Sequence, residues 1–165
     1  MDDSIPAERD ADVVARGDDD RVCVRWLHGA RRGWLQPDLD ALAWAGKIGL
    51  NGLIARSCAN LQVVANWVEK TAWIEFLAQS PDIRSSTSVC LSVVSEKVLA
   101  MTKEERAKFL KSIAGELSKK GLAHDVASYK DAPPGFRFWC DSTIPPEDVK
   151  AALLALEKVY NETIQ

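Results

Sequence analysis

No two of the four cysteines, Cys23, Cys58, Cys90 and Cys140, stand close in the chain, which excludes the paired spacing of a zinc knuckle or a dithiol redox motif. They read as reduced thiols that serve as small buried hydrophobes, and with no signal-peptide pattern ahead of them the protein is expected to be cytoplasmic. Long apolar runs are missing too. None approaches the roughly 20 residues of a bilayer-spanning helix, so no membrane association is expected. Charge of one sign is not in excess either: 21 Lys and Arg face 24 Asp and Glu, a formal net charge of −3. A nucleic-acid binder carries a basic footprint, so no nucleic-acid partner is expected. His28 and His124 are the only histidines and are isolated from each other, which suits packing or surface roles rather than ligation. GxGxxG, Walker, HExxH and GxSxG patterns are all absent, so no catalytic residue is nominated. The acidic run Asp18 to Asp20 is a solvated cluster too weak to hold a divalent cation, and no metal is expected.

What is present is enough for one core: 165 residues, 47% hydrophobic, about the size of a single domain. Residues 1 to 36 differ from the rest. "MDDSIPAERDADVVARGDDD" is acidic and free of aromatics, "RVCVRWLHGARRGWLQ" is basic with two tryptophans, and neither sustains a helical or strand period. Residues 1–36 are therefore expected to be a divergent, disordered or poorly packed leader, with one short strand in "RVCVRWL". From Pro37 the grammar is regular. "PDLDALAWAGKIG" reads as a helix ending before Gly49, and "NGLIARSCANLQVVANWVEK" as a second with Ile54, Cys58, Leu61, Ala65 and Val68 on its inner face. "AWIEFLA" is a short apolar stretch ended by the Pro81 break, and "TSVCLSVV" is a β-branched strand. "MTKEERAKFLKSIAGELSKKG" carries a capping box, Thr102 with Glu105, and stops at Gly121. "LAHDVASY" and "FRFWC" read as strands around the "KDAPPG" turn. A last helix, "PPEDVKAALLALEKVYNET", turns Val149, Leu153, Leu156 and Tyr160 inward. The fold class expected over 37–165 is α+β, with a small three-stranded, at least partly antiparallel sheet and helices packed on one face. A ferredoxin-like RNA-binding arrangement needs exposed aromatics on adjacent strands, and "FRFW" is its sole candidate.

Cations mark two loop–strand junctions: Arg84 in "DIRSSTSVC", and Lys130 with Arg137 in "YKDAPPGFRFWC". A guanidinium matches a carboxylate with two parallel bonds, and a lysine offers a compact charge suited to phosphate. Strand alternation points Arg137 away from Phe136 and Phe138. By pattern alone it is the solvated member of a half-buried strand, and "RSSTS" is a polar loop.

Taken in order, "LDALAWAGKIG", "GLIARSCANLQVVANWVEK", "WIEFLAQSPDIRSSTSVCL", "YKDAPPGFRFWC" and "PEDVKAALLALE" resemble the C-terminal small domain of phosphoserine aminotransferase, a pyridoxal-phosphate enzyme of the aspartate-aminotransferase fold type. The resemblance covers about residues 38 to 160. It implies an aminotransferase-type small domain that packs against a cofactor-holding large domain. The implied enzyme moves an amino group from glutamate to 3-phosphohydroxypyruvate, giving phosphoserine and 2-oxoglutarate in serine biosynthesis. It further implies Arg137 as the grip on the substrate α-carboxylate, Lys130 near the substrate phosphate in place of the usual arginine, and Arg84 as an organiser of its loop with possible contact to the site. The family's Schiff-base lysine, its pyridinium-partner aspartate and its ring-stacking aromatic belong to the large domain. This chain alone is therefore expected to bind no pyridoxal phosphate and to be inactive. The family's Asn-Thr-Pro segment would fall near 28–30, where His28, Gly29 and Ala30 stand. The resemblance stops near Pro37, as if an unrelated leader or a shifted reading frame had been joined to a genuine domain. The expected partners are an aminotransferase large domain and a phosphorylated amino or keto acid. The alternative is a stand-alone acid-binding module that self-associates through an exposed apolar face.

Overall fold

The computed structural model describes residues 15–16, 22–23, 36–129 and 132–164. Most of the 1–36 stretch, and Lys130, lie outside the described residues. The chain divides at Gly49 into two compact units. In the first, β1 (Ala15–Arg16) pairs antiparallel with β2 (Val22–Cys23), the latter inside "RVCVRWL". The helical run α1 (Gln36–Val68) begins in this unit and is broken at Gly49, whose φ of 73° and ψ of 159° are not helical. Glycine adopts that positive φ without the Cβ penalty any other residue would meet, and this is the break expected from sequence.

The second unit holds the α+β fold. Its sheet is a meander: β3 (Ile74–Phe76), β4 (Ser88–Val93) and β5 (Phe136–Trp139) lie in the order β3-β4-β5, every pairing antiparallel. The register sets Ile74 opposite Val93, Phe76 opposite Leu91, Leu91 opposite Phe136 and Val89 opposite Phe138. All seven of these side chains are buried and form one sheet face. A short helix α2 (Glu96–Leu99) follows β4, and then α3 (Lys103–Lys119) and α4 (Pro146–Thr163) cover that face. Leu110, Ile113 and Leu117 of α3 meet Val149, Leu153, Leu156 and Val159 of α4 in the core. Each such buried aliphatic contributes about 1.5–3 kcal/mol relative to exposure. Trp73 stacks on Tyr160 at 3.7 Å, and the Tyr160 hydroxyl shares a 2.5 Å hydrogen bond with Ser95.

Two sequence expectations need correction. "LAHDVASY" is not a strand of the sheet: it adds a single bridge, Ala127 to Phe136, on the outer edge of β5. The third strand is instead Ile74–Phe76, within the stretch read only as apolar. Every neighbouring pair is antiparallel, in keeping with the at least partly antiparallel sheet expected. The inner face of α1 after Gly49 is also rotated. Ser57, Asn60 and Val64 are buried, whereas Ile54 is 52% exposed and Cys58 lies at the surface. The cause is polar. Asn60 Nδ2 donates to the carbonyls of Cys140 at 3.2 Å, Asp141 at 2.9 Å and Ile144 at 2.9 Å, in the loop leaving β5. A buried carbonyl without a donor costs more than an exposed isoleucine. Phe136 and Phe138 face the core, so "FRFW" presents no aromatic pair to solvent and only Trp139 is exposed.

Candidate functional site

The site grows from the Pro-Pro-Gly bend ahead of β5. Pro133 and Pro134 fix φ at two successive positions, and Gly135 brings the chain hard against β4: a Cβ there would overlap the Leu91 carbonyl oxygen. Glycine is the residue that permits this approach. The strand that follows alternates, so Phe136 and Phe138 enter the core and Arg137 projects from the other face, paired across β4 with Cys90.

That other face is not open water at Arg137, which is only 5% exposed. The segment before the bend covers it. Arg137 N–H donates to the Val126 carbonyl at 2.9 Å, so residues 125 to 129 run along the edge of β5. This places two groups on the guanidinium. The Asp125 carboxylate accepts a short charge-assisted hydrogen bond from Nη2. The Tyr129 ring lies beneath, 4.4 Å from the guanidinium carbon to the ring centroid, a cation–π contact. Nε is buried and has no hydrogen-bond partner among the described residues. Beside the guanidinium is a cavity of about 20 Å³ lined in part by Leu77, Cys90, Tyr129, Pro133 and Arg137, room for about one water.

The far end of β5 is pinned as well. Asp141 Oδ1 accepts from the Thr143 N–H at 2.7 Å and from the Thr143 hydroxyl, and Oδ2 accepts from Trp139 Nε1 at 2.6 Å. Burial pushes the Asp141 carboxyl up, but these bonds from Thr143 and Trp139, with the Ile144 backbone, outweigh it and hold the group below its ordinary value. Arg56 Nε donates to the Ser142 carbonyl at 2.6 Å. Cys140 next door is fully buried, and desolvation with the Asp141 charge pushes its thiol up to about 12, which makes it chemically inert near neutrality.

Of the three cations singled out from sequence, the structure describes two, and it gives them different work. Arg84 Nε and Nη2 donate to the carbonyls of Ala78 at 3.0 Å and Gln79 at 2.9 Å, and its guanidinium sits 4.0 Å above the Phe76 ring. It ties the loop between β3 and β4. Lys130 is outside the described residues. The residues that sequence reasoning missed are Asp125 and Tyr129, which frame Arg137. The one local signal was Asp125 itself, four residues past the Gly121 helix stop. It has a φ of 54°, a conformation aspartate tolerates better than most residues.

The described residues of the second unit form an α+β domain with a buried cation set on a rigid bend of its sheet. Among solved structures it is similar to the phosphoserine aminotransferase from Bacillus circulans subsp. alkalophilus, with a TM-score of 0.58 over 73% of this chain and 30% of that one; at 14% identity this likeness speaks for the fold. In sequence the chain resembles phosphoserine aminotransferase. It is 39% identical over 133 residues, 80% of its length, to the protein of that name from Methanosarcina barkeri. It is likewise 39% identical over 134 residues to that from Methanosarcina mazei. The chain spans about a third of these relatives, 32% of each. No family model matches it.

Proposed function

We propose that this chain supplies the small-domain half of a phosphoserine-aminotransferase active site, with Arg137 as the group that grips the substrate carboxylate. The carrying observation is a guanidinium that is almost fully buried yet underused, aimed by the Pro133–Gly135 bend and stacked on Tyr129. Buried arginines are normally saturated with acceptors. One whose Nε has no partner among the described residues suits a planar two-oxygen ligand. In this reading Lys130 adds charge for the substrate phosphate, Arg84 keeps the β3–β4 loop in shape, and the substrate is the phosphorylated acid that the relatives' name carries.

Pyridoxal phosphate serves such enzymes as the electron sink and amino carrier. It needs a lysine amine held in a desolvated pocket. Every lysine whose side chain is described is solvent-exposed, so the described residues do not fit that group. The role proposed for this chain is therefore binding and orientation, with the cofactor held by a large domain. Leu50, 72% exposed, and Ile54, 52% exposed, form apolar surface on one helix. The same surface would serve self-association in a stand-alone acid-binding module, and docking to a large domain accounts for it equally well.

A chimaera tests the reading. Residues 50–165 replace the matching segment of the Methanosarcina barkeri relative, and transamination of phosphoserine is followed. Turnover is expected, and Arg137→Ala should raise KM for phosphoserine about a hundredfold, the loss of a charge-assisted double bond. A cofactor-loaded chimaera whose kinetics ignore Arg137→Ala would sink the assignment.

A further inference from the structure

The pair between Arg137 and Asp125 is lopsided: the arginine side chain is 6% exposed and the aspartate side chain 83%. A pair that serves stability alone gains most when both partners are enclosed and each lone pair is used. Here one carboxylate oxygen meets one guanidinium nitrogen, with the Asp125 backbone carbonyl a weaker 3.4 Å neighbour of the same Nη2. The guanidinium is held from below by Tyr129 and by its own strand, so it cannot follow a departing partner. Asp125 can leave easily. Its side chain already lies mostly in water. The cavity beside Arg137, about 20 Å³, has room for about one water, so an external carboxylate reaches the guanidinium by taking the place Asp125 holds.

We infer that Asp125 is an internal competitor for the Arg137 seat: a tethered carboxylate that keeps the buried guanidinium paired and must swing into solvent before an external carboxylate binds. This rests on the reading of Arg137 as a carboxylate grip. The exchange swaps one carboxylate for another, so the arginine is paired both before and after the ligand binds. Asp125 thereby sets the affinity threshold of the site. It is a positioning and gating residue that touches Arg137 and not the ligand.

The test is calorimetric titration of the 165-residue chain with phosphoserine and with phosphoethanolamine, which lacks the carboxylate. Asp125→Asn keeps the side-chain shape and tolerates the same backbone conformation but removes the charge, and Asp125→Gly guards against misfolding of the first variant. Both should bind phosphoserine about tenfold more tightly than wild type, the scale of one charge-assisted hydrogen bond released from competition, with phosphoethanolamine affinity unchanged. Arg137→Gln should abolish the gain when combined with either. Phosphoserine affinity that is unchanged or weaker in both Asp125 variants, while Arg137→Gln alone destroys binding, overturns the competitor and leaves the grip standing. Equal tightening of phosphoethanolamine overturns it too. Arg137→Gln binding phosphoserine as wild type does, or no protein binding it at all, overturns the carboxylate grip itself.

Discussion

Arg137 occupies the middle of a four-residue strand with 5% of its surface exposed, a burial that is costly for an unpaired cation. Its direction follows from alternation with Phe136 and Phe138, and that much is readable from the string FRFW. Its burial is not. Cover comes from Val126 to Tyr129, which pair along the edge of β5 only once the chain has folded back. Gly135 is the residue on which this placement turns, because its backbone abuts the Leu91 carbonyl. Gly135→Ala should therefore push β5 from β4 and destabilise the protein by about 1–3 kcal/mol, the usual cost of overpacking. The urea midpoint at constant m-value reads it out, and an unshifted midpoint would show that the bend yields freely.

Elements differ in how local their causes are. Helix α3 is specified by its own first turn: the Thr102 hydroxyl accepts from the Glu105 N–H, and the Glu105 carboxylate accepts from the Thr102 N–H at 2.9 Å. The Thr102 N–H, and the Thr102 hydroxyl donating to the same carboxylate, hold the Glu105 carboxyl below its ordinary value. The helix ends before Gly121, whose φ of 65° is left-handed. All of this is written in consecutive residues, so it was legible. Thr102→Ala should cost about 1 kcal/mol and lower the melting temperature by about 2–4 °C, while Thr102→Ser should recover most of it. Strand β3 is the opposite case. Three residues, Ile74–Phe76, are too few to display a period, and they are a strand because Val93 to Leu91 pair with them. "LAHDVASY" has strand composition but meets β5 at one bridge, since its neighbours serve to frame Arg137.

At the scale of the molecule, the core and everything packed on it lie between Leu61 and Ile164, within the unit that begins at Leu50. A chain of residues 50–165 should then unfold as cooperatively as the full one, with a melting temperature within a few degrees, which calorimetry can check; a broad, non-cooperative transition would show that the core draws on residues before Gly49. Among the described residues no helix is long and apolar enough to cross a membrane. Local chemistry in the sequence determined the helices with their caps and stops, the α+β class, the break at Gly49 and the face from which Arg137 projects, because each depends on residues a few positions apart. Tertiary structure alone decided which short segment completes the sheet, why Asn60 rather than Ile54 turns inward, and that Asp125 and Tyr129 close over Arg137. Those outcomes depend on backbone groups distant in the chain finding donors and acceptors, and a linear pattern carries no record of such partners.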